Sequence, residues 1–121
     1  MAQRGIVLFG HGSRDPLWRK PIEAVAARAR ALDPSVAVRC AYLELTEPGL
    51  ATTVDGLAGE GVQSITIVPM FLGVGKHARE DLPLLLDALR SRHPHAQFTL
   101  QPSVGEQPAL VELLASIALT I

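Results

Sequence analysis

Short apolar runs alternate along this chain with longer segments in which apolar residues recur every three or four positions. The runs are rich in β-branched residues and predict buried strands over residues 6–9, 36–43, 64–69 and 97–100. The longer segments predict helices over residues 16–32, 48–60, 82–92 and 108–119. Four such alternations in 121 residues predict one α/β domain over residues 1–121, an open four-stranded parallel sheet with helices on both faces.

Prolines limit where these helices can begin. Asp15 and Pro16 predict the start of the first helix, but Pro21 would interrupt it, so a start nearer Pro21 is the alternative. Pro83 suits only a first helical turn, which predicts that the third helix begins near Leu82. The residues predicted to face the core from the first and last helices are Leu17, Ile22, Val25, Ala26, Ala29 and Leu32, and Leu110, Leu113, Leu114 and Ile117.

The charge and the cysteine content of the chain indicate which kind of molecule it binds and in which cellular compartment it works. The net charge is −1 and neither end carries a block of like charge, so neither a nucleic acid nor a membrane surface is the expected partner. No window approaches the roughly 20 apolar residues that span a bilayer, and the first ten residues lack a signal-peptide core. The single cysteine, Cys40, excludes an internal disulfide and suits the cytoplasm. A small molecule is therefore the expected partner.

Three residues of metal-ligand or acid–base type follow the first three predicted strands. His11 comes directly after the first strand, Glu44 after the second, and His77 after the loop that leaves the third. Ligands bind parallel sheets at the carboxyl ends of the strands, so we expect these side chains to lie on one edge. Two imidazoles and a carboxylate suit a borderline divalent cation such as Co²⁺, Ni²⁺, Fe²⁺ or Zn²⁺ and leave a coordination position open.

Each of these residues also has a purely structural interpretation. A histidine after a buried strand is often only a hydrogen-bonded polar residue, although glycines flank His11 and precede His77. Glu44 also suits a position before a helix, where the helix dipole favours a carboxylate. Glu80 and Asp81 would share a helical face with His77, but acidic residues are common in first turns.

The remaining residues that could bind a metal or take part in chemistry are weaker candidates for the site. His93 and His95 flank Pro94 after a helix, at the edge opposite the predicted site, and this pattern is typical of a solvated turn. Cys40 lies within the second strand, where a small buried hydrophobic residue is the simpler interpretation. Trp18 is more typical of packing than of ligand stacking.

Three motifs together resemble the small CbiX-type sirohydrochlorin chelatases, which belong to the class II tetrapyrrole chelatases. They are Gly10-His11-Gly12-Ser13-Arg14, Tyr42-Leu43-Glu44-Leu45, and Pro69-Met70-Phe71-Leu72-Gly73-Val74-Gly75-Lys76-His77 with Asp81-Leu82-Pro83 after it. The resemblance spans most of the chain and implies a flavodoxin-like chelatase half-domain.

The resemblance also implies an activity, namely ATP-independent insertion of a divalent metal into sirohydrochlorin in cobalamin or sirohaem synthesis. Co²⁺ would be the typical metal, with Ni²⁺ or Fe²⁺ as alternatives, and no organic cofactor is expected. His11 and His77 would hold the metal, with Glu44 as a further ligand or as a base. The substrate is a polycarboxylate, and the residues expected to bind its carboxylates are Ser13, Arg14, Lys76 and Arg79.

Many relatives carry two such units in one chain, whereas this sequence has one copy. The short members of the family look like homodimers that form one cleft between subunits, so an isologous homodimer is expected. The sheet edges and the last helix are the candidate interfaces.

Two other functions compete with the chelatase interpretation. Histidine phosphatases also place a histidine after the first strand of an α/β domain, but they carry an arginine immediately before it, where this chain has Gly10. A metal carrier or sensor could use the same three ligands without turnover.

Overall fold

A computed structural model describes residues 4–120 of the chain. It contains four parallel strands, and the third and fourth have the predicted limits. The strands are β1 (Arg4–Gly10), β2 (Ala37–Tyr42), β3 (Ser64–Pro69) and β4 (Gln97–Leu100).

The strand order in the sheet is β2-β1-β3-β4. The connection from β1 therefore runs to a neighbour on one side, and the next connection crosses to the other side of β1. Gly10 at the end of β1 lies level with Tyr42 of β2, and Phe9 lies level with Pro69 of β3. The loops that leave these three strands therefore begin at one edge. The gap between β1 and β3 is the switch point at which open parallel sheets bind ligands.

Four helices and one 3-10 turn complete the fold. The 3-10 turn covers Val104–Glu106, and the helices are α1 (Lys20–Leu32), α2 (Leu50–Gly59), α3 (Lys76–Arg92) and α4 (Pro108–Leu119). No helix within residues 4–120 combines the length and the hydrophobicity needed to cross a membrane.

Helix α1 starts later than residue 16, which confirms the alternative start near Pro21. Pro21 is in the first turn, where its missing N–H costs nothing because no carbonyl precedes it within the helix. Asp15 does not cap this helix. Its carboxylate instead accepts the backbone N–H of Leu17 at 2.9 Å and holds a separate turn.

The predicted start of the third helix near Leu82 is wrong, since α3 already begins at Lys76. Ala78 is buried four residues before Leu82, so the buried stripe continues one turn toward the amino end. Pro83 consequently lies inside the helix, where it removes one backbone hydrogen bond. The charged segment around His77 is therefore helical and does not belong to the loop.

Helices cover both faces of the sheet, as predicted. On one face α2 and α3 pack against the sheet around Val54, Leu57, Leu86 and the strand residue Ile65, all of which are buried. On the other face α1 packs through Ile22 and Ala26, together with strand residues such as Leu8.

Two of the predicted inward stripes are wrong in part. Ile22 and Ala26 of α1 are buried and Ala29 is half-buried, but Val25 and Leu32 are exposed, and Leu17 lies in the turn before the helix. None of the residues of α4 is buried, although the helix has the predicted bounds. Its residues Leu113, Leu114 and Ile117 are exposed and Leu110 is half-buried.

An ionic cluster joins α2 to the end of α3 at the amino edge of the sheet. The Asp55 carboxylate accepts two hydrogen bonds from Arg92, at 2.8 and 2.6 Å, and lies 2.8 Å from Nε2 of His93. Arg92 and His93 hold the pKa of the Asp55 carboxyl below its ordinary 3.8. His93 is thereby part of a structural cluster, on the side of the molecule away from the predicted site.

Replacing Asp55 by asparagine is expected to lower the urea midpoint of unfolding at pH 7. Because the folded-state pKa lies below 3.8, the carboxylate stabilises the fold above pH 3.8, and this contribution is lost as pH falls through the folded-state value. Urea unfolding at pH 7 and near pH 2.5 measures the difference. The exposed pair of Asp87 and Arg90, 3.5 Å apart, supplies the control, since Asp87→Asn should change little at either pH. A loss for Asp55→Asn that persists undiminished at low pH would show that charge is not its cause.

Candidate functional site

The loops after β1 and β2 are bound together backbone to backbone. Leu43 donates its N–H to the carbonyl of Gly10 at 2.9 Å, and Glu44 donates to the carbonyl of His11 at 3.0 Å. These bonds extend the β1–β2 ladder one step beyond the sheet. Glu44 and His11, which are 33 positions apart in the sequence, are therefore direct neighbours at the carboxyl edge.

The side chain of Thr46 also joins these two loops, by hydrogen bonds to Ser13. Its Oγ1 accepts the N–H of Ser13 at 2.9 Å and donates to the carbonyl of Ser13 at 2.6 Å. Leu45 has a positive φ of 63°, which turns the chain so that Thr46 reaches back. Leu45 belongs to the second motif but had no role assigned from the sequence, and Thr46 was not identified there.

Gly12 allows the closest approach between these loops. Its φ is +100°, and a Cβ at this position would lie 1.7 Å from the carbonyl oxygen of Glu44. A side chain of any kind would therefore collide with the backbone of the Glu44 loop. The glycine is required both by its conformation and by the neighbouring chain.

The loop after β3 brings an aromatic ring against His11. Met70 donates its N–H to the carbonyl of Phe9 at 2.8 Å, which keeps this loop beside β1. The buried ring of Phe71 then lies 4.5 Å, centroid to centroid, from the imidazole of His11 at an interplanar angle of 38°. Phe71 thus limits the orientations open to His11, a role that its place in the third motif did not reveal.

A fourth segment, after β4, fixes the position of Phe71. The buried Ser103 donates its hydroxyl to the Phe71 carbonyl at 2.6 Å, and the N–H of Gly105 reaches the same oxygen at 3.0 Å. A Cβ at Gly105 would lie 1.7 Å from the carbonyl oxygen of Leu72, so this approach also requires glycine. Nothing in the local sequence pointed to residues 103–105, because the contact joins segments about 30 positions apart.

His77 is the second residue of α3, and its side chain is exposed, as are those of His11 and Glu44. The N-cap residue, Gly75, offers no side-chain cap, so the first N–H groups of α3 are open to a partner at the same edge. Across residues 4–120, no three side chains of the His, Cys, Asp and Glu types are placed to hold a metal ion together. The set of His11, Glu44 and His77 as joint metal ligands therefore stays a prediction.

The predicted substrate-binding residues lie within three positions of His11 or His77 in the sequence. Arg14, Lys76 and Arg79 are exposed, and within residues 4–120 none of them forms an ion pair. Ser13 is half-buried, and its Oγ accepts the N–H of Asp15 at 3.1 Å, which leaves the hydroxyl free to donate. An open hollow of about 400 Å³ borders Glu44 on the β2 side.

Of the residues with weaker claims, Cys40 lies within β2, Trp18 packs beside the end of β1, and His95 lies at the opposite edge. Burial raises the pKa of the half-buried Cys40 thiol, so it remains protonated at neutral pH and has no nucleophilic character there. Trp18 packs edge-on against Tyr42, with 6.0 Å between the ring centroids. His95 is exposed near the amino end of β4.

Solved structures share this fold. The crystal structure of a CbiX protein from Marinobacter aquaeolei VT8 superposes with a TM-score of 0.84 at 32% identity, over 95% of this chain and 93% of that one. The chelatase SirB from Bacillus subtilis subspecies spizizenii, solved with cobalt, superposes with a TM-score of 0.79 at 25% identity. That match covers 96% of this chain but 49% of SirB.

Among curated proteins, the sirohydrochlorin cobaltochelatase of Methanosarcina barkeri is 35% identical over 82 residues, which is 68% of this chain and 63% of the relative. The enzyme of the same name from Priestia megaterium is 25% identical over 111 residues, 92% of this chain and 36% of the relative. The chain thus spans less than two thirds of the length of these relatives. The CbiX family model matches residues 5–119. Because the family model matches nearly every described residue, and because the fold is that of the solved CbiX protein, this chain belongs to the CbiX family.

Proposed function

We propose that this protein is a chelatase that inserts a divalent metal ion into sirohydrochlorin without ATP, with Co²⁺ as the leading candidate. The observation that carries the proposal is the pairing of the Glu44 loop with the His11 loop at the carboxyl edge of the sheet, with Phe71 from the β3 loop against the imidazole. Related proteins bear the name sirohydrochlorin cobaltochelatase, and SirB was solved with cobalt, which supports the same chemistry. Ni²⁺ and Fe²⁺ are the alternative metals.

The residue types fit the reaction. Metal insertion requires the ring to lose two pyrrolic protons while the metal exchanges its ligands, so the site needs groups that alternate between holding metal and accepting protons. A neutral imidazole does both near pH 7, and a carboxylate can do so as well. We assign metal holding to His11 and His77, and either ligation or proton acceptance to Glu44.

The polycarboxylate substrate has a matching set of cations around these groups. Arg14, Lys76 and Arg79 are exposed cations with no partner among residues 4–120, and Ser13 has a hydroxyl proton to donate. The open N–H groups at the start of α3 add positive potential beside Lys76. We propose that these groups bind the acetate and propionate side chains of the tetrapyrrole.

We propose further that one chelatase domain, residues 1–121, works as a homodimer in the cytoplasm. SirB is about twice as long as the segment that this chain matches, so a second copy would supply the missing half. The exposed position of His11, Glu44 and His77 agrees with a cleft that a second subunit completes.

The decisive experiment mixes the purified protein with sirohydrochlorin and Co²⁺ and follows the absorbance change of metallation against a reaction without protein. We expect a rate that rises in proportion to protein concentration, and parallel reactions with Ni²⁺ and Fe²⁺ rank the metals. Binding of Co²⁺ without acceleration would refute the chelatase and leave a metal carrier. Hydrolysis of a generic phosphate ester that needs His11 and no metal would favour a phosphatase instead.

A further inference from the structure

The three loops that leave β1, β2 and β3 carry exposed apolar side chains. Within residues 4–120, the other exposed large hydrophobic residues all lie on helices α1, α3 and α4. A single exposed leucine is ordinary, but several at one edge, bordered by charged residues, are typical of a ligand-binding surface. The exposed apolar residues of these loops are Leu17, Trp18, Leu43, Leu45 and Leu72.

Three of these leucines lie on the two sides of His11. His11 follows β1, which lies between β2 and β3, and its carbonyl accepts the N–H of Glu44 at 3.0 Å. Leu43 and Leu45 flank Glu44 in the sequence and are therefore on the β2 side. Leu72 is on the β3 side, next to the residue whose ring packs 4.5 Å from the imidazole. Apolar side chains thus come to the candidate site from both neighbouring loops.

Among residues 4–120, Leu45 is the only residue other than glycine with a positive φ. Its φ of 63° is in the left-handed region, which glycine and asparagine adopt more readily than leucine. The bonds of Thr46 to Ser13 explain why the chain turns here, but an asparagine would make the same turn at lower cost. The leucine is 55% exposed, so its burial within the fold offsets little of the strain. Strained residues of this kind cluster at ligand sites.

An open hollow brings this apolar surface next to the candidate carboxylate. The hollow, of about 400 Å³, is lined by Leu43 and Leu45 together with Glu44. Arg14 and Lys76, which are close to the two histidines in the sequence, are exposed cations without an ion pair among residues 4–120. A ligand that satisfies both kinds of group has an apolar body with anionic substituents at its rim. A tetrapyrrole with carboxylate side chains has this composition.

We propose that Leu45 packs against the face of the tetrapyrrole ring and is the main apolar determinant of substrate affinity, with Leu43 and Leu72 as lesser contacts. The inference rests on the proposed function, because it takes sirohydrochlorin as the ligand. The cations bind the carboxylates at the rim of the ring, whereas the leucines exclude water from one of its faces. The ring is thereby held at the edge that bears His11 and Glu44.

The first test measures the binding of metal-free sirohydrochlorin. Trp18 is the only tryptophan and lies in the loop after β1, so quenching of its fluorescence by the tetrapyrrole gives the dissociation constant. Leu45→Asn is expected to raise this constant about tenfold, because burial of a leucine side chain contributes at least that factor. The urea midpoint of unfolding should equal or exceed that of the wild type, because asparagine suits the positive φ. Unchanged affinity in this variant overturns the proposal.

Two further variants are the controls for this measurement. Leu45→Met keeps an apolar side chain of similar volume and should bind sirohydrochlorin within about threefold of the wild-type constant. Leu84→Asn removes a leucine of similar exposure (65%) from α3, outside the three loops, and should also bind within about threefold. A tenfold loss of affinity for either control would overturn the assignment of the apolar contact to Leu45.

Steady-state metallation separates contact with the ring from an effect on the neighbouring Glu44. Leu45→Asn should raise KM about tenfold and leave kcat within about threefold, because Leu45 does not touch the reacting atoms. A lower kcat with unchanged affinity would mean that Leu45 only positions Glu44. A changed mass in light scattering with unchanged affinity would mean that another chain covers the leucine. Both results overturn the proposal.

Failure of this inference is distinguishable from failure of the proposed function. A wild-type protein that binds and metallates sirohydrochlorin, together with an unimpaired Leu45→Asn variant, refutes only the leucine contact. A wild-type protein that binds sirohydrochlorin but does not insert cobalt refutes the chelatase, and weaker binding by Leu45→Asn then still supports the contact. A wild-type protein that does not bind sirohydrochlorin refutes both.

Discussion

Replacing His77 by alanine is expected to slow cobalt insertion into sirohydrochlorin by at least about 100-fold, because replacing even the residues that support a metal ligand costs about 10–100-fold in metal affinity or activity. His77 is exposed on the first turn of α3, so the substitution removes no core packing. The loss therefore reports on chemistry, and the initial rate of the absorbance change measures it. His11→Ala should have an effect of the same order, because both imidazoles are assigned to the metal.

His95→Ala is the matched control for this experiment. His95 is an exposed histidine near the amino end of β4, and its removal should leave the rate unchanged. Calorimetric titration with Co²⁺ then separates the two roles of a histidine. A ligand loses metal affinity when replaced, whereas a proton acceptor loses turnover and keeps affinity. A His77→Ala variant within threefold of the wild-type rate would remove His77 from the proposed mechanism.

The strands could be predicted from sequence because the residues that define them are local. Strands β3 and β4 have the predicted limits, since turn-forming residues precede both strands, Pro69 ends the first and Gln101-Pro102 follows the second. The start of α3 was misplaced because Pro83 was taken as a first-turn residue. The buried Ala78 shows why the helix tolerates it, since packing on both sides of the proline compensates for one missing hydrogen bond.

The candidate site was predictable as far as parallel topology determines it. Once β1 and β2 are neighbours, His11 and Glu44 must leave the same edge, and the backbone bond between them follows from the register. The hydrogen bonds of Thr46 to Ser13 and of Ser103 to the carbonyl of Phe71 were not predictable. These contacts join residues 33 and 32 positions apart, and they depend on the path of loops that no periodicity describes.

The burial of α4 was predicted incorrectly for a related reason. A stripe of Leu and Ile at helical spacing indicates which face avoids water, but it does not indicate which molecule covers that face. The sequence pattern of α4 is the same whether its apolar side packs on its own sheet or on that of a second copy. The exposed Val25 and Leu32 of α1 follow the same logic, because their spacing indicates an apolar face but not what covers it.

Replacing Gly12 by alanine is expected to damage both the fold and the activity. The new Cβ would lie 1.7 Å from the carbonyl oxygen of Glu44, and that atom belongs to a backbone held by its own bond to His11. The positive φ alone should lower the free energy of unfolding by about 1–3 kcal/mol. Displacing the Glu44 loop by about 1 Å should lower the metallation rate by on the order of 10²-fold.

Gly56→Ala provides the matched control, since a Cβ at this position in α2 meets no atom within 4 Å. That variant should be unchanged in rate and, because alanine favours helices over glycine, more stable by up to about 1 kcal/mol. Urea unfolding and the cobalt insertion assay are measured on both variants. If Gly12→Ala were as stable as Gly56→Ala but inactive, the strain would be absorbed by the Glu44 loop alone, and the rate loss would report the position of Glu44 directly. If Gly12→Ala kept both its stability and its rate, the close contact between the His11 and Glu44 loops would not be needed for function.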